Sequence, residues 1–209
     1  NSISGVQLIR RLEGAEAHVF TAPLVVNKQT GVKFGKSEGG AIWLDGNKTS
    51  PYKFYQFWLN IDDDTAEDLI KIYTLLDRET IEGVIENHRE NPGARLLQKT
   101  LAREVTELIH GRERRESVEK VTGVLFGSIE LNELNASDLD ELAKEIPAAQ
   151  PGDAVDILVA SNLASSNGEA RKLIQNNAVS VNGEKIAESV DVQAPSLVKK
   201  GKNGFVLVR

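Results

Sequence analysis

The sequence predicts a multidomain chain: the tail of an α/β arrangement, then an all-α helical bundle, then a small α+β module. Three observations predict it. A lysine- and glycine-rich loop, "GVKFGKSEGG" (31–40), follows a helical pattern and a β-like run near the start. From about Gly46 to Pro147 apolar residues recur at three- and four-residue spacing, the signature of amphipathic helices. Beyond "PAAQPGD" the pattern turns to short helices and alternating strands around an Asn-Gly pair. The expected divisions are 1–45, 46–147, a linker at 148–152, and 153–209.

In order, "SGVQLIRRLEG" reads as a short helix stopped near Gly14, and "HVFTAPLVV" as a β-run interrupted by Pro23. Ser50-Pro51 pairs an N-cap with proline at the first helical position, ahead of the aromatic helix "YKFYQFWL". There Phe54, Phe57 and Trp58 share one face, a core spacing that outweighs a base-stacking platform. Then come "DTAEDLIKIYTLL", "RETIEGVIENHRE", "ARLLQKTLAREVTELIHG", "RERRESVEKVTGVLFG" and "SDLDELAKEI". Asp64 and Ser137 are the expected N-caps and Gly111 the expected stop. Leu97, Leu101, Val105, Leu108 and Ile109 form one predicted stripe. In the last module Ser166 and Glu169 make a capping box, Ala170, Leu173 and Ile174 face inward, and Asn177 takes the left-handed position. Asn182-Gly183 turns a hairpin, and "KKGKNGFVLVR" supplies a basic turn and a final strand.

Composition narrows the chemistry. The 209 residues include no cysteine, which excludes disulfides and thiolate metal sites, and His18, His88 and His110 are far apart. The chain starts on Asn and contains no methionine. No signal-peptide pattern and no apolar run of about 20 residues is present, so a soluble, cytoplasmic protein is expected. The net charge of −6 is uneven: residues 46–147 carry 13 basic and 21 acidic side chains, whereas both ends are slightly basic. An acidic whole does not prevent a local basic face from holding phosphate.

The loop at 31–40 is the strongest chemical signal. A Walker A loop needs four residues between its glycines; Gly31 and Gly35 have three, and no long helix follows. Lys33-Phe34-Gly35-Lys36-Ser37 instead matches the lysine–x–x–lysine–serine loop of class I aminoacyl-tRNA synthetases, the KMSKS motif. Two ammonium groups on such a loop meet the charge that develops on departing pyrophosphate, and flanking glycines let it close and reopen.

Around that loop, "TAPLVVNKQTGVKFGKSEGGAIWLD", "KTSPYKFYQFWLN" and "LAREVTELIHG" resemble the bacterial tyrosyl-tRNA synthetase family, in the family's order and over essentially the whole chain. "SSNGEARKLIQNNAVSVNGEKI" resembles the S4 RNA-binding domain, with Asn167 where many members have a basic residue. The resemblance implies the C-terminal part of a synthetase: a remnant of the α/β catalytic domain, a helical anticodon-binding domain and an S4-like domain. It implies that the HIGH-type half and the tyrosine pocket lie upstream, so that this part alone is a non-catalytic tRNA-binding piece. The second reading is a stand-alone RNA-binding module. In the intact enzyme tyrosine is activated by ATP, with Mg2+ accompanying the nucleotide, and passed to tRNA(Tyr). Lys36 would contact the ATP phosphates, Lys33 would support it and Ser37 would shape the loop. RNA would be gripped by Arg171, Lys172, Lys185, Lys199, Lys200 and Lys202, with Arg112, Arg114 and Arg115 as further basic residues at a helix end. No protein-bound metal is expected. The family is a homodimer through its catalytic domain, and this piece is expected to be monomeric.

Overall fold

The computed structural model describes residues 1–26 and 42–209. They belong to two compact units, 1–41 and 42–209. In the first, α1 spans Ser2–Glu13 and ends at Gly14, whose φ of 65° lets its N–H reach the Arg10 carbonyl. Arg10 and Arg11 in the last turn suit the negative end of the helix. None of its residues is buried. Residues 14–25 have no regular structure. The β-run expected from His18 onward therefore does not form a strand there; Pro23 lacks the N–H that a ladder needs.

The second unit opens with six helices: α2 (Pro51–Leu59), α3 (Asp63–Tyr73), α4 (Arg78–Glu90), α5 (Leu96–His110), α6 (Arg112–Phe126) and α7 (Ala136–Glu145). Ser50 accepts the Lys53 N–H, as a cap followed by proline should. The other caps sit slightly upstream of the predicted ones. Asp62, not Asp64, caps α3, and Asn135, not Ser137, caps α7 through a reciprocal box with Asp138. Asp and Asn accept the N–H three residues on without straining the extended backbone, and periodicity leaves such starts uncertain by a residue or two. Gly111, at φ 85°, separates α5 from α6 as expected.

Helix α5 is the central element, packed against α2, α3, α4 and α6. Leu97, Leu101 and Val105 are fully or almost fully buried, but Leu108 is 53% exposed and Ile109 37%. The predicted stripe therefore ends one turn early. On α2 the buried aromatics are Phe54, Tyr55 and Trp58, with Phe57 at the edge of the core. Phe54 stacks edge-on against His110 at 4.8 Å.

The last part holds α8 (Ala154–Ala160), α9 (Asn167–Gln175) and seven strands: β1 (Ala148–Ala149), β2 (Gly152–Asp153), β3 (Val179–Val181), β4 (Glu184–Lys185), β5 (Asp191–Val192), β6 (Ser196–Lys200) and β7 (Gly204–Val208). The order is β1-β7-β6-β3-β4, with β2 and β5 forming a separate pair. Asn182 and Gly183 have φ of 49° and 88°, as the tight β3–β4 turn requires, and Asn177 has φ 52° just past α9. Residues expected as a linker contribute β1, parallel to β7, and the start of β2. Lys199 and Lys200 close strand β6 rather than forming a turn.

Both faces of this sheet are covered. Val179, Val198, Val206 and Val208 face α8 and α9 through Ile157, Leu158, Ala170 and Ile174. Leu197 and Leu207, on the alternate positions, pack with Val121, Val124, Leu125 and Leu142 of α6 and α7. Strand β7, "GFVLV", is apolar throughout because it lies between two layers. The third module is thus no free-standing bead: its sheet shares a core with the helices before it.

Candidate nucleic-acid interface

The expected catalytic residues Lys33, Lys36 and Ser37 lie outside the described residues. The expected RNA-binding residues can be placed, and they separate into three groups.

Lys185 and Lys199 come together. Ser180 on β3 is paired with Lys185 on β4 and with Lys199 on β6, so the three side chains stand in one row across the strands. The row continues to Phe205 on β7, over whose ring the Lys199 ammonium sits at 5.2 Å. This is the face that carries Leu197 and Leu207 under α6 and α7. Where α6 ends at Gly127 the face is uncovered, leaving a groove of about 530 Å³ lined by Val124, Gly127, Asn177, Lys185, Lys199 and Gly201. Lys202, in the β6–β7 turn, is exposed beside it in the chain.

Lys200 points the other way. Its ammonium donates to the Leu163 carbonyl at 2.5 Å and lies 3.7 Å from Glu169. Glu169 also accepts from the backbone and hydroxyl of Ser165, and these bonds, with Lys200, hold its carboxyl below the usual range. Lys200 therefore fastens the α8–α9 turn. Arg171 and Lys172 are exposed on α9, in the layer that covers the opposite face of the sheet.

The arginines at the start of α6 also separate. Arg112 is paired with Glu116 at 2.9 Å. Arg115 is buried and bonds Glu107 at 3.0 Å, Glu119 at 2.7 Å and Glu116 at 3.3 Å. Burial opposes its charge, but Glu119 and Glu107 more than offset that and raise its pKa above the ordinary arginine value. Tyr55 lies in the same environment: burial first, then Glu119, push its phenol up to about 12, against a smaller pull from Arg115 and Arg103. Arg114 makes no ion pair with any described residue. Arg112 and Arg115 each find a glutamate one turn on in the same helix, and only burial beside Glu107 of α5, which the chain does not show, sets Arg115 apart.

Among the described residues no group of three or more His, Cys, Asp or Glu could hold a metal ion, and no helix is long and apolar enough to cross a membrane.

A helical layer shares a core with a sheet whose exposed rim carries lysines, and family comparison gives the class of the chain. The family model described as "tRNA synthetases class I (W and Y)" matches residues 1–127, more than half of the chain. The chain belongs to that family. A second model, "Tyrosine--tRNA ligase SYY-like C-terminal domain", matches residues 138–209. A tyrosine–tRNA ligase of Flavobacterium psychrophilum is 42% identical over 223 residues, covering 100% of this chain and 51% of the relative. Tyrosine–tRNA ligase 1 of Vibrio vulnificus is 40% identical over 219 residues, covering 100% and 51%. The chain thus spans about half the length of these curated relatives. A solved structure, a C-terminally truncated mitochondrial tyrosyl-tRNA synthetase of Coccidioides posadasii, is 35% identical with a TM-score of 0.41, covering 48% of this chain and 25% of that one.

These matches correct four expectations. The class I region runs unbroken from residue 1 to 127, through α6, so it is not a remnant ending near residue 45 with a separate all-α bundle behind it. The chain is accordingly not a C-terminal part alone, nor one lacking the catalytic class I region, and the readings as a non-catalytic tRNA-binding piece or a stand-alone RNA-binding module are withdrawn. The S4-like assignment of 153–209 gives way to the tyrosine–tRNA ligase C-terminal domain, whose match starts at 138, within α7. The physical reason is common to all four. Helical periodicity reports a buried face but not which domain the face belongs to, and a helix–helix–hairpin pattern is shared by many small modules.

Proposed function

We propose that the protein is a tyrosine–tRNA ligase, which joins tyrosine to ATP as an adenylate with release of pyrophosphate and then transfers the tyrosyl group to tRNA(Tyr). One observation carries the reading: a class I region of the W and Y group at 1–127 is followed in the same chain by a domain described from tyrosine–tRNA ligases at 138–209. The second match favours tyrosine over tryptophan. ATP enters as a substrate with its Mg2+, and a second copy of the protein and a cytoplasmic setting complete the proposal.

In this reading Lys36 meets the ATP phosphates, Lys33 adds a second positive charge as pyrophosphate departs, and Ser37 shapes the loop. Lys185 and Lys199 contact RNA phosphates from the groove below α6, with Lys202 at its edge and Arg171 and Lys172 on the α9 side. Lys200 acts through the α8–α9 turn it fastens. The support for the groove is its row of two lysines across three strands, open where α6 stops.

The test is amino-acid-dependent ATP–pyrophosphate exchange, followed by tRNA charging, with the protein expressed from its whole reading frame. Tyrosine should drive both steps, and phenylalanine should fall short by orders of magnitude, because a site built for the phenol hydroxyl leaves polar groups unpaired without it. Exchange driven by tryptophan in preference to tyrosine would refute the assignment.

A further inference from the structure

Gly123 lies in the interior of α6, three residues from its end, and is buried. Glycine is a poor helix former, and this one does not use its freedom to take a positive φ. A different demand accounts for it. A Cβ at this position would lie 2.5 Å from Cδ1, 2.7 Å from Cγ1 and 3.2 Å from Cβ of Ile129. The chain turns back at Gly127, whose φ is 78°, and lays Ile129 into the space that Gly123 leaves. The Gly123 carbonyl holds it there, accepting the Ser128 N–H at 2.8 Å, the Ile129 N–H at 3.2 Å and the Ser128 hydroxyl at 3.3 Å. From this seat the chain runs to Leu131 and Leu134, both buried in the core that holds Leu197 and Leu207 of the sheet. The seat closes the class I region, and residues 128–137 form the joint to the C-terminal domain. The groove of about 530 Å³ draws its walls from both sides of that joint: Val124 and Gly127 from the first region, Asn177, Lys185 and Lys199 from the second.

We infer that Gly123 is a positioning residue: as the socket for Ile129 it fixes the end of α6 over the sheet, and so sets the width of the groove that carries Lys185 and Lys199. What the groove holds rests on the tyrosine–tRNA ligase reading; the socket rests on packing alone. The steric fit leaves little room. Turning the end of the Ile129 side chain moves Cδ1 away but leaves Cγ1 at 2.7 Å, and Cβ stays at 3.2 Å in any rotamer. The first torsion of a β-branched residue is also stiff. An added methyl therefore displaces the main chain at 129, and a close-packed interior passes such a shift on rather than absorbing it. Leu131 and Leu134 carry it into the core shared with Leu197, and Lys199 stands two residues further along the same face of β6. Backbone contacts fix the register of a nucleic acid, so two lysines on one rigid face suit neighbouring phosphates only at a set spacing from the opposite wall.

The experiment compares the native protein with G123A, I129A and the double variant G123A/I129A, in which removal of Cγ1 and Cδ1 clears the clash. The first readout is cleavage of the folded chain by a glutamate-specific protease at Glu130 and Glu133, the acidic residues of the joint. G123A should be cut roughly tenfold faster there, because local opening sets the rate, and the double variant should return to within about threefold of native. The second readout is binding of tRNA(Tyr) transcript by filter retention across a salt series. G123A should reduce the slope of log K against log salt by about 0.9, one phosphate, and K199Q added to G123A should take nothing further. The double variant should restore the slope. G123A cut at the native rate overturns the socket. G123A cut faster but with the native salt slope overturns the positioning role, because mere loosening of the fold lowers affinity without changing ion release. Should G123A fail to fold, I129A decides: it removes the knob without adding bulk, and cleavage of its joint at the native rate overturns the socket equally. Tyrosine-dependent pyrophosphate exchange by the native protein needs no RNA. If it is present while K199Q leaves the native salt slope unchanged, the lysine row and the positioning role both fail, and cleavage still decides the socket.

Discussion

Replacing Arg115 with methionine tests the electrostatic centre of the helical layer. The arginine side chain is 8% exposed and holds Glu107, Glu119 and Glu116, which are 42%, 33% and 46% exposed. Breaking a fully buried pair by removing one partner costs about 3–5 kcal/mol, because the orphaned charge stays buried. Here the three carboxylates can still reach water, which discounts the penalty, while methionine retains most of the packing of the arginine stem. The expected loss is therefore about 2–3 kcal/mol at neutral pH. Urea denaturation of the 42–209 unit's helical signal measures it as a shift in midpoint at constant slope. A cycle with E119Q isolates the 2.7 Å contact, and its coupling should be about 1–2 kcal/mol, since neighbours in one network do not add. A loss below about 1 kcal/mol, or no coupling between Arg115 and Glu119, would refute the claim that this arginine is committed to the fold and would return it to the set of RNA contacts.

Two further outcomes concern the shared core and the phenol beside Arg115. Leu207 is fully buried between the sheet and α6–α7, so L207A should cost about 2–5 kcal/mol in urea unfolding, and amide exchange of β7 and α7 should accelerate together. Acceleration confined to β7 would show that the two layers do not share a core. Tyr55 should remain un-ionised until about pH 12 in an ultraviolet titration. Because its charged form is disfavoured in the fold, the unfolded chain loses its proton first. The contribution is whole below about pH 10 and declines as pH climbs from there to 12. Y55F should remove that part of the alkaline decline, and an unchanged decline in Y55F would exclude Tyr55 as its source.

Local signals were read correctly wherever one residue's backbone chemistry decides the outcome. Ser50-Pro51, Gly14, Gly111, Asn177 and the Asn182-Gly183 turn all behave as their residue types require. The caps of α3 and α7 each lie two residues upstream of the expected ones, because several Asp, Asn and Ser residues compete at each start. Strands β1, β2 and β5 were missed because two-residue strands have no period to detect, and β6 because its closing Lys199-Lys200 pair beside Gly201 has the composition of a turn. Leu108 and Ile109 were placed in the core by spacing alone, yet spacing cannot say how far the partner surface extends.

The candidate site divides in the same way. The basic residues of the last module and the loop lysines could be nominated from the chain, because charge and glycine content are local properties. Which cations are available could not. Lys199 and Lys200 are neighbours in sequence, and the strand pleat sends one into a groove with Lys185 and the other to the Leu163 carbonyl. Arg112, Arg114 and Arg115 lie within four residues, and Glu119 one turn on, together with Glu107 of the approaching α5, takes Arg115 out of use. Likewise, helical periodicity predicted α2 to α6 but not that they continue one class I region. By itself the sequence determined the helices, the main turns and the presence of positive charge, since these depend on near neighbours. The tertiary structure decided which charges are spent on the fold and that the sheet and helices share a core, since a side chain's partner is set by what packs against it.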